Sequence, residues 1–146
     1  MDPVAALEAG CRVLDPLMSR AGFRFVPGPA GKGSGGNFAS GSYVRRDRQL
    51  ELHFRWSLGL VTYHYGPRAL SHEAFMWSVL DGRPGNKYPG FSDDPIQGFR
   101  DLAEDLEGHG EEFLTGSDER LGQRFEHAAA HPKPSGFGAI IDRGAV

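Results

Sequence analysis

At 146 residues the chain has the length of one ordinary domain, enough to bury a core without disulfide or metal staples. Apolar residues make up 39% and charged residues 24%, a globular composition, and the net charge of −3 argues against a nucleic-acid binder, which carries a basic face. One cysteine, Cys11, excludes an intrachain disulfide, and the absence of a basic leader or a long apolar run sets the expectation of a cytoplasmic protein with no membrane contact.

Asp2-Pro3 is a helix start, since Asp caps the first amides and Pro suits the first helical position. Val4, Leu7, Cys11, Leu14 and Met18 then recur at three- and four-residue steps, one apolar helix face, with Gly22 as the stop. Pro16 lies inside this stretch and is expected to kink the helix or split it after Asp15. Cys11 falls on the apolar stripe and reads as a buried thiol rather than a nucleophile.

Residues 23–26 alternate as a short strand, and residues 27–37, with five glycines and two prolines, read as a flexible loop or wide hairpin connection. Residues 38–46, 49–56 and 58–65 read as three successive strands whose short links demand antiparallel pairing. Along the middle strand Leu50, Leu52, Phe54 and Trp56 are expected to point one way, and Glu51, His53 and Arg55 the other. One face therefore packs on helices while the other is polar.

Gly66-Pro67 ends the sheet, and Ser71 caps a helix over residues 72–80. After a Gly- and Pro-rich loop, Ile96, Phe99, Leu102, Ala103, Leu106 and Phe113 mark a second helix, weakened at its far end by Gly108 and Gly110. Ser117 caps a last helix over residues 118–130, with Leu121, Phe125 and Ala128 inward. The expected organisation is one α+β domain over residues 1–131, an antiparallel three- to four-stranded meander packed on one face by an N-terminal helix and C-terminal helices. Residues 132–146 form a loosely held tail in which Phe137, Ile140 and Ile141 could dock as a strand or anchor.

Glu51, His53 and Arg55 share a strand face that the next strand extends with Tyr63 and Tyr65 or with Thr62 and His64, depending on register, and a second strand with Tyr43 and Arg45. An acid, imidazoles, a guanidinium and phenols on one face suit an anion or acid–base chemistry; the plainer reading is a solvated face with cross-strand charge pairs. Glu51, His53, Arg55, His64 and Tyr63 are thus the candidate ligand-binding residues, with no catalytic residue assigned. Residues 86–94 offer a second contact loop, or more plainly a core plug of Tyr88 and Phe91 with Asp93 or Asp94 capping the helix.

Gly31, Gly33 and Gly36 match the dinucleotide pattern G-x-G-x-x-G, but a strand rather than a helix follows, so no cofactor is expected there. His127 and His131 are one helical turn apart, yet a metal site needs three or four ligands, so no metal is expected either.

Charge is uneven along the chain. Residues 43–70 carry five arginines against Asp47 and Glu51, a net of +3; residues 92–126 carry eleven carboxylates against Arg100, Arg120 and Arg124, a net of −8. The two segments either neutralise each other within one fold or leave an acidic surface for a basic partner. The opening helix, the meander carrying Arg48-Gln49-Leu50-Glu51-Leu52-His53-Phe54, and the acidic helices resemble in layout small uncharacterised bacterial α+β proteins, among them immunity proteins that neutralise a toxin by docking on it. That resemblance implies a non-enzymatic interaction module, which would meet its partner through the acidic helices or the open sheet face. The alternative is a small anionic-ligand binder or an enzyme working on the sheet. Residues 58–65 would make the chain a homodimer if they form an edge that pairs with a second copy; otherwise it is a monomer.

Overall fold

The computed structural model describes residues 2–33 and 36–134. Helix α1, Pro3–Arg20, opens where Asp2 accepts a hydrogen bond from the Ala5 amide at 3.1 Å. It runs through Pro16 as one helix and is not split after Asp15. Proline removes the donor that would serve the Arg12 carbonyl, but Arg12 and Pro16 both lie on the exposed side, where water can serve it.

Five strands follow as an antiparallel meander in chain order: β1 Arg24–Gly33, β2 Gly36–Arg45, β3 Arg48–Phe54, β4 Leu58–Tyr65 and β5 Arg68–Ser71. The expectation of three or four strands is corrected at both edges. In the Gly- and Pro-rich segment read as a flexible loop or a wide hairpin connection, residues 27–33 and 36–37 form the outer arms of the β1–β2 hairpin, with a register shift between Pro27 and Ala30. β5 is a four-residue edge pairing Thr62–Tyr65 through Ser71–Arg68.

Helices then cover one face. They are α2 His72–Val79, α3 Gln97–His109, the single turn α4 Glu111–Leu114, and α5 Asp118–Ala130. Ser71 and Ser117 cap α2 and α5 through the Ala74 and Arg120 amides. Asp94 accepts from the Ile96 amide at 2.9 Å, ahead of α3. The expected continuation of α3 to Phe113 is interrupted at Gly110, although Phe113 stays buried as the start of a new turn.

The core lies between the sheet and the helices: Tyr43, Leu50, Leu52, Phe54, Val61 and Tyr63 meet Leu14, Met18, Phe75, Phe99, Leu102, Phe113 and Phe125. Two glycines permit close approach. A Cβ on Gly10 would stand 2.4 Å from the Phe99 ring, and one on Gly41 would stand 2.3 Å from Phe25. Among the described residues no helix covers the opposite sheet face. Trp56, expected inward with Leu50, Leu52 and Phe54, is instead 77% exposed, because β3 ends at Phe54 and the chain bends before it.

Arg45 and Arg48 tie the sheet to the helices. Arg48 donates to the carbonyls of Glu112 (3.2 Å), Phe113 (2.9 Å) and Gly116 (2.6 Å), and Arg45 to that of Leu114 (2.8 Å). The last carbonyls of a one-turn helix have no backbone donors, and these guanidiniums fill that need. The tail residues Phe137, Ile140 and Ile141 lie outside the described residues.

Candidate contact surface on the open sheet face

Register decides which side chains share the open face. Glu51 stands opposite Thr62 and Ser42, Gln49 opposite His64, and His53 opposite Leu60 and Ser40. Thr62 and His64, rather than Tyr63 and Tyr65, therefore accompany Glu51 and His53. Tyr63 pairs with Leu50 on the core face and is fully buried, so it leaves the predicted set. Tyr43 and Arg45 are on the core side as well; the Tyr43 hydroxyl donates to the Cys11 carbonyl at 3.1 Å and to the Asp15 carboxylate.

The remaining four residues split into two groups. Glu51 and His64 form a part-exposed pair at 2.8 Å in the middle of the sheet. His53 and Arg55 lie nearer its end. His53 stacks flat on Phe38, with centroids 5.3 Å apart and planes at 8°. The Arg55 guanidinium lies 5.9 Å from both the Phe38 and Trp56 rings and donates to the Gly36 carbonyl at 3.2 Å.

Phe38, His53, Arg55, Trp56 and Leu60 thus gather where the β1–β2 hairpin and the β3–β4 turn meet, and Trp56 and Leu60 are 77% and 66% exposed. Aromatic rings with few rotatable bonds and a guanidinium are the groups that dominate protein contact surfaces. Sequence reasoning missed Trp56 and Leu60. The signal lay in Ser57-Leu58-Gly59, which forces a bend, and the ladder slips by one residue between His53 and Phe54.

Beneath this end of the sheet is a buried polar chain. The Tyr63 hydroxyl meets His72 Nδ1 at 2.8 Å, and His72 Nε2 meets Asp105 Oδ2 at 2.8 Å. Asp105 also accepts from the amides of Lys87 (2.7 Å) and Tyr88 (2.9 Å). Burial raises the Asp105 pKa, but the bonds from His72 and the two amides outweigh it and hold the carboxyl below its usual range. With His72 and Asp105 at most 2% exposed, the chain is closed to a substrate.

A shallow cleft of about 420 Å³ between α2 and α5 contains Ser78, Arg124, Glu112 and His127. Ser78 Oγ lies 2.8 Å from His127 Nδ1 and accepts from Arg124 Nη1 at 2.8 Å, while Arg124 Nε is paired with Glu112 at 2.8 Å. The hydroxyl is thus held between a cation and an imidazole, and Ser78 is only 3% exposed. His127 and His131 stack with centroids 4.4 Å apart, and among the described residues no group of three or more His, Cys, Asp or Glu is placed to hold a metal.

Six of the eleven carboxylates in residues 92–126 have basic partners: Asp94 with Arg100, Glu104 with Lys87, Asp105 with His72, Glu111 with Arg120, Glu112 with Arg124, and Asp118 with Arg48. No helix among the described residues is long and apolar enough to cross a membrane. No family model, curated protein or solved structure matches the chain.

Proposed function

We propose that this protein is a non-enzymatic interaction module that docks a partner polypeptide on the open face of its sheet, with Trp56, Arg55, Phe38 and Leu60 at the contact centre. One observation carries the reading: two large apolar side chains stand in solvent beside a guanidinium and a stacked aromatic pair, on a face that no described helix covers. The docked surface is apolar with a carboxylate. Arg55 is the charge within the patch, and the nearby Glu51 is already engaged by His64. An immunity-type role, in which the module neutralises a protein by covering it, is one form of this reading.

The rival readings have less support. An anion pocket on the sheet would need Glu51, His53, Arg55 and His64 to converge in a concavity, whereas they separate along an open surface. Docking through the acidic helices would use carboxylates of which the majority already have partners within the chain.

The test is affinity capture from the native host with three baits: wild type, Trp56→Ala with Arg55→Ala, and Glu107→Gln with Glu119→Gln and Glu126→Gln. The proposal expects one polypeptide retained by the first and third baits and lost by the second. Each central truncation should weaken binding by roughly 30-fold, corresponding to about 2 kcal/mol. Loss with the third bait alone would move the contact to the helices.

A further inference from the structure

The β3–β4 turn that displays Trp56 and Leu60 is gripped from inside the fold. The Tyr88 hydroxyl donates to the Leu58 carbonyl at 2.6 Å and, at longer reach, to that of Gly59 at 3.1 Å. These carbonyls lie at the irregular end of the ladder, where His53 pairs Leu60 and Phe54 pairs Leu58, so Gly59 stands across from no residue of β3. A turn with a broken ladder has few bonds of its own; here one is the 3.2 Å contact from the Arg55 amide to the Ser57 carbonyl.

Tyr88 is itself fixed at both ends. Its amide and that of Lys87 are held by the two oxygens of Asp105, which takes a third bond from His72, which in turn meets the Tyr63 hydroxyl on β4. Its ring meets His72 edge-on at 5.5 Å and lies against the bare backbone of Gly98, where a Cβ would stand 3.5 Å from the ring. The chain Tyr63–His72–Asp105–Tyr88 thus runs from the centre of β4 through α2 and α3 and returns to the start of β4. Phe91, the other ring of the loop, is fully exposed and takes no part.

We infer that Tyr88 is a positioning residue for the contact surface: its hydroxyl, braced by the Tyr63–His72–Asp105 chain, fixes the bulged turn that presents Trp56 and Leu60. This rests on the reading of that patch as the contact surface. A tyrosine that only filled the core would need its ring and not its hydroxyl, so Tyr88→Phe separates the two roles.

The experiment uses the full chain labelled with 5-fluorotryptophan, which carries two probes, Trp56 and Trp77, assigned with Trp56→Phe. In Tyr88→Phe the Trp56 fluorine line should move or broaden while the Trp77 line stays. Amide exchange at residues 58–60 should accelerate by about tenfold, the factor expected for one lost hydrogen bond, with the core amides unchanged. An unmoved Trp56 line, or exchange accelerated equally throughout the sheet, overturns the inference. Partner affinity is read separately. A loosened turn with unchanged affinity keeps the positioning role and removes the binding reading; reduced affinity with an unmoved turn does the reverse.

Discussion

Replacing Arg48 with methionine tests whether the basic character of the sheet is structural. Arg48 is 3% exposed, and its guanidinium serves three carbonyls at the end of α4 as well as Asp118 at 3.0 Å. Methionine keeps most of the apolar stem and leaves those carbonyls without a donor. An unsatisfied buried polar group costs about 1–3 kcal/mol, and the three acceptors share one guanidinium, so the total should be about 4 kcal/mol, a large part of the roughly 5–15 kcal/mol that holds such a domain. Asp118 is the contrast. Its side chain is 66% exposed, so Asp118→Asn should cost no more than about 0.5 kcal/mol. Urea unfolding of the three proteins, compared at constant m, reads both numbers. An Arg48→Met cost below about 1 kcal/mol, or an Asp118→Asn cost equal to it, would refute the view that carbonyl capping rather than the ion pair is what Arg48 supplies.

Three further outcomes follow from the packing and the titrations. Gly10→Ala should lower stability by about 1–3 kcal/mol in urea despite the better helix propensity of alanine, because its Cβ would stand 2.4 Å from the Phe99 ring; an increase in stability would show that α1 and α3 part freely. Burial, against a hydrogen bond with Tyr43, pushes the Cys11 thiol up to about 11, so the native protein should resist a thiol-specific disulfide reagent at pH 8 and react with one equivalent in urea; prompt native reaction contradicts the buried placement. Asp105 has a folded pKa below its unfolded value. Its contribution is therefore present above the unfolded pKa of about 3.9 and is lost as pH falls through the folded one, and stability should drop more steeply below about pH 4 in the wild type than in Asp105→Asn, with equal slopes refuting the assignment.

Elements with a strong local pattern were legible in the chain. β4 is bounded by turn residues, and α5 begins at a serine cap and buries Leu121, Phe125 and Ala128; both run over the residues that the sequence marks. The outer arms of β1 and β2 were not legible, because glycines and prolines form a ladder through their backbones with no side-chain alternation. β5 has only four residues, too few to show a period. The candidate site depended on register, which is a property of paired strands. Thr62 and His64 could be exchanged for Tyr63 and Tyr65 until pairing of Glu51 with Thr62 settled which set faces out. The His72–Asp105 pair spans 33 positions, and no local pattern connects them.

Charge is where local and folded readings diverge most, and this bears on how a partner would be recognised. The segment sums of +3 and −8 suggest a basic sheet facing an acidic helical layer. In the fold, Arg45 and Arg48 turn inward to cap α4, and six carboxylates of the acidic segment are paired with basic side chains of the same chain. What the open sheet face presents is mainly apolar: Trp56, Leu60 and the Phe38–His53 stack, with Arg55 as the local charge. Apolar contact is insensitive to salt, whereas association driven by a field of carboxylates is screened beyond a Debye length, about 10 Å at 0.1 M and about 3 Å at 1 M. Docking on the patch should therefore lose no more than about fivefold in affinity between 0.1 and 0.5 M sodium chloride, the share of one exposed ion pair of up to about 1 kcal/mol. A fall of a hundredfold or more, measured by calorimetry with the captured partner, would place the recognition on the carboxylates left unpaired in the helices rather than on the sheet.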